Sequence, residues 1–196
     1  MKRKLGAERA WARLMHDPDA ELMRRAGAGE TSAVNEIVRR HAERIVRVGR
    51  RMLGDAAEAE DVAQEVFLRV WKQAATWRTG EAKLATWMHR VTLNLCTDRL
   101  RRRREMPDPN AGLTLADPAA GAEEGLHVRE RSARVHAALA QLPERQRAAI
   151  ALCYFEEVSN IEAADAMEVS VEALESLLSR ARRTLRERLS DEAGSL

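Results

Sequence analysis

The chain has 196 residues, of which 45% are hydrophobic, so it is long enough for one large or two small folded domains. Its 10 glycines and 5 prolines are too few for the many turns of a β-rich fold, and we predict an all-α protein. No apolar run approaches the ~20 residues of a membrane span, and the basic start lacks an apolar core. We therefore expect a cytoplasmic protein with no membrane insertion and no secretory signal.

The charge is unevenly distributed, although the net charge is only +2. Residues 1–106 hold 23 Lys and Arg against 15 Asp and Glu, a net charge of +8, and the remainder holds 10 against 16, a net charge of −6. Neutralisation of phosphates dominates affinity for DNA. The N-terminal half is therefore predicted to carry the main surface for a polyanion.

Neither metal nor catalytic chemistry is indicated by the sequence. Cys96 and Cys153 lie far apart within helical patterns, the five histidines are scattered, and no metal-ligand spacing occurs, so we predict buried thiols, no metal site and no cofactor. The chain also lacks a Ser/His/Asp or Cys/His set and a Gly-rich phosphate loop. An enzyme is therefore the least favoured class.

The N-terminal half reads as a series of helices. Asp19 is predicted to cap a short helix that stops at Gly27, and Thr31 or Ser32 opens a long amphipathic helix that Gly54 closes. Asp55 opens a third helix that runs to about Gln73. We predict that one broad apolar face of this helix is buried, comprising Val62, Ala63, Val66, Phe67, Val70 and Trp71.

A fourth helix is predicted from Glu81 to Arg104, after a loop at residues 75–80. Its tail, Arg101 to Arg104, is a run of cations that cannot all be paired within the helix. The run is either a solvated helix end or a clamp for phosphates. Trp77 and Trp87 are interpreted as core aromatics, with the stacking of flipped bases as the alternative.

The helical pattern stops between residues 105 and 126. This stretch has three prolines, three glycines, five acidic residues and no basic one, as is typical of a flexible linker. Such a coil would span roughly 25 Å, enough for two domains to occupy separate sites.

The C-terminal half is predicted to contain a helix-turn-helix. Pro143 suits the first turn of one helix, and Ser159 with Glu162 has the capping-box spacing for a second, which is short and rich in alanine. Glu168 and Val169 form the turn. Ser170 caps a third helix with an apolar stripe at helical spacing, comprising Leu174, Leu177, Leu178, Ala181, Leu185 and Leu189.

The outer face of this third helix begins with polar side chains and ends with cations. Its members are Ser170, Glu172, Glu175, Ser176, Ser179, Arg180, Arg182, Arg183, Arg186 and Arg188. The order suits a recognition helix, in which the N-terminal part meets base edges and flanking cations meet phosphates. Cations near a helix C-terminus also favour the helix dipole, so a solvated face is the alternative.

Segments in both halves resemble one known family. LPERQRAAIALCYFE, SNIEAADAM and VSVEALESLLSRARRTLR, from residue 142 onward, resemble region 4 of the extracytoplasmic-function sigma factors of bacterial RNA polymerase. AEDVAQEVFLRVW resembles sigma region 2.2, and LATWMHRVTLNLCTDRLRRRRE is similar to regions 2.3 and 2.4. The resemblance implies an extension at 1–18, a region 2-like domain at 19–104, a linker at 105–126 and a region 4-like domain at 127–196.

The resemblance also implies partners and site residues. The partners are core RNA polymerase, promoter DNA and an anti-sigma factor. The residues facing the polymerase would be Asp61, Gln64 and Glu65. The residues facing the downstream promoter element would be Arg78, Thr79, Arg90 and Asn94, with Arg101, Arg102, Arg103 and Arg104 on phosphates. At the upstream element, bases would be met by Ser170, Glu175, Ser176 and Ser179, and the backbone by Arg180 and Arg183.

Two residues depart from the family pattern. Glu168 stands where the family often has Gly before the turn valine, and Glu175 stands where it often has a basic residue. A stand-alone helix-turn-helix regulator would also explain the C-terminal half. In that case the N-terminal half would be a ligand-binding or dimerisation domain.

Overall fold

The computed structural model describes residues 17–78, 80, 82–106 and 134–193, with side chains as far as residue 189. The described backbone contains helices and no strand, which confirms the predicted all-α fold. The N-terminal domain comprises α1 (Ala20–Gly27), α2 (Thr31–Leu53), α3 (Ala56–Ala74) and α4 (Leu84–Glu105). The C-terminal domain comprises α5 (134–140), α6 (Glu144–Ile150, continued by a π-helical turn Ala151–Phe155), α7 (Asn160–Ala166) and α8 (Val171–Ala193).

Several predicted helix ends are confirmed by their capping geometry. The Asp55 carboxylate accepts a hydrogen bond of 2.8 Å from the backbone N–H of Glu58. Ser159 accepts one of 3.3 Å from the N–H of Glu162. Gly54 ends α2 with φ of 70°, in the left-handed region that glycine adopts without a steric penalty.

Asp19 precedes α1, but its side chain does not cap the helix as predicted. Its carboxylate instead accepts hydrogen bonds from His41 Nε2 at 2.8 Å and Arg40 Nη1 at 3.0 Å, both on α2. Burial opposes ionisation of Asp19, but these two partners outweigh it and lower the pKa of the carboxyl. The neighbouring Asp17 accepts a 3.0 Å bond from the N–H of Leu84 and so satisfies a donor at the start of α4.

The N-terminal core forms where α2, α3 and α4 cross. Ile37, Ile45 and Met52 lie on the inner face of α2 and are at most 1% exposed. Full burial of a side chain of this size contributes about 1.5–3 kcal/mol to stability. A Cβ built at Gly49 would lie 3.0 Å from Ala59 Cβ, so the absence of a side chain there allows α2 and α3 to approach closely.

Two predictions for α3 and α4 need correction. Trp71 is 64% exposed, so it lies outside the buried face to which it was assigned, and Phe67 packs only at the edge of the core. The buried face of α3 is formed by small and β-branched residues instead, such as Val62 and Val66. The fourth helix begins at Leu84, three residues later than predicted, since the backbone of Lys83 is still extended.

The C-terminal domain packs α8 across α6 and α7. The alanines of α7 are buried, which allows a close helix crossing, and Leu174 and Ala181 of α8 are fully buried beside them. Arg147 on α6 is only 8% exposed and donates to the backbone carbonyls of Leu142, Ala140 and, across the domain boundary, Met52. Burial lowers the pKa of its guanidinium.

The two domains contact each other directly. Helix α4 packs on α7, and α2 packs on α6 and its π-helical turn. The linker region 107–133, most of the extension 1–18 and Thr79 fall outside the described residues. No helix in the described part of the chain combines the length and the apolarity that crossing a bilayer requires.

Arg103 and Arg102 on α4 are adjacent but differ in their surroundings. Arg103 lies 2.6 Å from Glu58 of α3 and donates at 3.1 Å to the Leu53 carbonyl at the end of α2, whereas Arg102 is exposed and has no partner among the described residues. Arg103→Ala should therefore lower the free energy of unfolding by about 1–2 kcal/mol, and Arg102→Ala by less than about 0.5 kcal/mol. Urea unfolding followed by circular dichroism measures both, and equal losses would contradict the assigned contact.

Candidate polymerase and nucleic-acid interfaces

A continuous stripe of exposed side chains runs along α3. Asp61 and Gln64 are exposed near its start, and Leu68 and Trp71, 49% and 64% exposed, follow on the same side of the helix at positions i+7 and i+10 from Asp61. Glu65 lies beside the stripe and is held by Arg69 at 2.9 Å. The stripe is therefore acidic at one end and apolar at the other.

Leu68 and Trp71 were missed as candidate contact residues because hydropathy favours burial of both. Their helical spacing relative to Asp61 was the available signal, since residues seven and ten positions apart share a helix face. Large exposed apolar side chains next to one another often mark contact surfaces of soluble proteins. The α3 stripe has this character.

The predicted DNA contacts on α4 lie at the boundary between the domains. Arg90 Nη2 donates at 2.9 Å to the carboxylate of Asp165 and at 3.0 Å to its carbonyl oxygen, and Arg90 Nη1 lies 3.5 Å from Glu168. Asn94 is exposed but lines a cleft with Glu144 and Glu168 of the C-terminal domain. In this arrangement the guanidinium of Arg90 is paired with acidic side chains of the C-terminal domain.

The other predicted contacts of the N-terminal domain differ in whether they are exposed, packed against the core or held in ion pairs. Arg78 is exposed in the loop before α4. Trp77 and Trp87 pack against the core with their rings edge to face, 5.8 Å between centroids, which favours the interpretation as core aromatics. Arg101 is paired with Asp98 at 3.1 Å within α4, and Arg104 lies 2.7 Å from Glu144 of α6.

His89 lies beneath this face of α4 and is 2% exposed. Burial lowers the pKa of its imidazole to about 4, with the charge on Arg44 and on His41 acting in the same direction. The side chain is therefore neutral near pH 7, and the positive charge of this face comes from arginine and lysine.

The outer face of α8 is open to solvent in its N-terminal part. Ser170 accepts a 3.2 Å hydrogen bond from the N–H of Ala173, and Glu172 has its pKa lowered by its own backbone N–H and by the Ser170 hydroxyl. Both residues thus stabilise the start of the helix. Five further members of this face are exposed, namely Glu175, Ser176, Ser179, Arg180 and Arg183.

Glu168 connects α7 and α8 with a left-handed backbone, at φ of 53°. A non-glycine residue in this region costs about 1 kcal/mol relative to glycine. This explains why glycine suits the position. The side chain that replaces glycine here is one of the two carboxylates that approach Arg90.

The C-terminal domain also contains an apolar cavity of about 310 Å³. It lies between α5, the end of α6 and the C-terminal half of α8. Most of its lining is apolar, including Val135, Leu139, Ile150, Phe155, Leu185 and Leu189. The exposed Tyr154 stands at this cavity and accepts a hydrogen bond from Arg182 at 3.2 Å.

Among the residues with described side chains, no three of His, Cys, Asp and Glu are grouped so that they could hold a metal ion. Cys96 is fully buried, and burial raises the pKa of its thiol to about 12. Cys153 is half-buried, and burial raises its pKa as well.

Comparisons with known proteins match both domains. Residues 37–106 match the model of sigma-70 region 2, and residues 132–185 match that of sigma-70 region 4. The chain is 34% identical over 161 residues to the ECF RNA polymerase sigma factor SigE of Mycolicibacterium smegmatis, covering 80% of this chain and 61% of SigE. It is 30% identical to SigW of Bacillus subtilis, covering 83% of this chain and 92% of SigW.

A solved structure is similar over nearly the whole chain. CnrH in complex with the cytosolic domain of CnrY superposes with a TM-score of 0.70 at 26% identity, covering 89% of this chain and 99% of CnrH. The stand-alone regulator considered above would account only for the C-terminal half, whereas the matches cover region 2 and region 4 in the order of the family. The chain belongs to the extracytoplasmic-function sigma factors of RNA polymerase.

Proposed function

We propose that this sigma factor binds core RNA polymerase through α3, directs it to specific promoters through α4 and α8, and acts in the cytoplasm as an initiation factor without catalytic activity of its own. The observation that carries the proposal is the exposed stripe of α3, which lies in the segment matched to sigma-70 region 2. Its acidic end offers charge complementarity to a basic partner surface, and its apolar end offers Trp71 as an anchor.

Promoter contacts are divided between the domains in this proposal. On the N-terminal domain, Arg78, Arg90, Asn94 and the α4 tail would meet the downstream element, with the exposed Arg102 as the best-placed phosphate contact of the tail. On the C-terminal domain, Glu175 and Ser176 would read bases while Arg180 and Arg183 hold the backbone. A glutamate directed into the major groove can accept a hydrogen bond from cytosine N4.

An anti-sigma protein is the proposed regulator. Support comes from CnrH, which was solved with the cytosolic domain of CnrY. The apolar cavity between α5, α6 and α8 is suited to the apolar face of a helix from such a partner.

Run-off transcription with core polymerase on genomic DNA tests the proposed function. Discrete transcripts should start at a small set of sites only when the chain is present. Binding of those promoters by the chain alone, without any effect on the polymerase, would instead indicate a stand-alone regulator.

Asp61→Lys should weaken binding of core polymerase about tenfold or more, because it reverses charge at the acidic end of the α3 stripe. Trp71→Ala should weaken it by a similar factor, because aromatic anchors carry much of the energy of an interface. Fluorescence anisotropy of the labelled chain with core polymerase measures both. Glu21→Lys makes the same charge change on the exposed surface of α1 and should bind as wild type does; if Asp61→Lys and Trp71→Ala match it, α3 is not the contact.

Glu175→Ala should change which upstream sequences are preferred, because one accepting group aimed at a base contributes ~1–3 kcal/mol of discrimination. Arg183→Ala should lower affinity for all sequences alike, because a phosphate contact carries no sequence information. Selection from a promoter library with a randomised upstream element compares the two variants. An unchanged preference for Glu175→Ala would return this residue to the role of a solvated side chain.

A further inference from the structure

Ion pairs of a single polarity cross the boundary between the domains. Six of them join described residues, each with its cation on the N-terminal domain and its carboxylate on the C-terminal domain. The pairs are Arg47–Glu156 at 2.8 Å, Arg44–Glu156 at 3.4 Å, Lys83–Glu162 at 2.7 Å, Arg90–Asp165 at 2.9 Å, Arg90–Glu168 at 3.5 Å and Arg104–Glu144 at 2.7 Å. The C-terminal domain thus presents an acidic face to a basic one.

Glu156 is the central contact of this boundary. Its carboxylate is fully buried, and Arg47 donates to both of its oxygens, from Nε at 2.9 Å and from Nη2 at 2.8 Å. Nearby, the guanidinium of Arg51 stacks 3.5 Å from the ring centroid of Phe155. A buried carboxylate without its partners is strongly disfavoured, so separation of the domains has to expose Glu156 to water.

The remaining pairs are more accessible to solvent. The side chains of Arg90 and Asp165 are 29% and 54% exposed, and those of Arg104 and Glu144 are 67% and 27% exposed. Ion pairs of this kind are weak and are screened by salt. A contact that combines one buried pair with several screened ones is suited to reversible docking.

We infer that the acidic face of the C-terminal domain acts as an internal substitute for the DNA backbone. In the free protein this acidic face occupies the basic face of the N-terminal domain, and it has to leave before the basic face binds promoter DNA. Docking of the domains and binding of DNA at α4 then exclude each other. The inference rests on the proposed function for the role of Arg90 in DNA binding. Glu168 belongs to the acidic face, since its carboxylate approaches Arg90. A glycine at this position would adopt the left-handed backbone without a steric penalty but would supply no carboxylate.

The docked arrangement leaves the proposed polymerase contact accessible. Asp61, Gln64, Leu68 and Trp71 on α3 are all exposed while Arg90 is paired. The closed chain can therefore meet core polymerase first and release its basic face to promoter DNA afterwards. This order would keep the free protein from binding DNA at random through that face.

Lys83 and Glu162 provide a direct measurement of the closed state. Their Nζ and Oε1 atoms are 2.7 Å apart, and Lys83 is one of only four lysines in the chain. A carbodiimide should therefore join them in an amide in the free full-length protein at low salt, and mass spectrometry should detect the linked peptides. Lys83→Arg keeps the cation but cannot be linked in this way, so it defines the background.

The yield of this link should respond to salt and to DNA. It should fall about tenfold between about 0.05 and 1 M salt, because most of the pairs are screened. It should fall to background when excess duplex DNA is added at low salt. Absence of the link in the free wild type would overturn the closed state, and a link that persists with saturating DNA bound would overturn the competition.

Glu156→Gln tests the central pair. It should lower the ratio of closed to open protein about tenfold or more, because hydrogen bonds between charged groups are replaced by weaker ones. The salt concentration at which the yield of the link falls to half should therefore be lower than in the wild type. Glu157→Gln makes the same charge change at the next, exposed position, which has no ion pair to a described residue, and should leave the midpoint unchanged. Equal midpoints for the two variants would contradict the central role of Glu156. A chain that links as expected but directs no transcription would contradict the proposed function and leave the closed state in place.

Discussion

The relation between the two domains depends on the burial of the Glu156 carboxylate. This group ends the π-helical turn of α6, and two arginines of α2 surround it. The inner face of α2 and the buried side of α6 belong to one continuous cluster of buried apolar residues. The buried charge and its partners therefore add to an apolar contact between two domains that are joined in sequence only through residues 107–133.

The same contact explains how one small protein can keep its functional surfaces in different states. The α3 stripe and the N-terminal part of α8 are exposed in the closed chain, whereas Arg90 is paired with carboxylates. A sigma factor has to bind both polymerase and DNA, and tight binding to either one alone would hinder binding to the other. Acidic residues that compete with phosphate for the same arginine offer such control by electrostatics alone.

Much of the fold could be predicted from the sequence because its signals are local. Helical periodicity and the caps at Asp55, Ser159 and Ser170 depend on residues a few positions apart, and the structure has these caps. Trp71 was misassigned because it lies at the edge of the apolar face of α3, and hydropathy alone cannot decide whether a large side chain at such a position is buried or exposed. The predicted cap at Asp19 was wrong for a related reason. Its buried carboxylate accepts hydrogen bonds from Arg40 and His41 on α2, which are distant in sequence, and not from the start of its own helix.

The boundary between the domains could not be predicted. Arg47 and Glu156 are 109 positions apart, and each fits an ordinary solvated helix surface when read alone. The uneven charge of the two halves was the only sequence signal that bears on it. That asymmetry was interpreted as a preference for DNA in one half, whereas in the structure it also makes the halves complementary to each other.

Transcription by the covalently closed chain is the most direct test of whether the domains have to separate before a promoter is used. Protein linked between Lys83 and Glu162 is purified and added to core polymerase on a promoter that the unlinked protein uses, and full-length run-off transcripts are counted. If the domains have to separate, the linked chain gives background transcript, and Lys83→Arg protein treated with the same carbodiimide gives full transcript. Equal transcript from the linked chain and from this treated control would contradict this requirement and show that the domains need not separate.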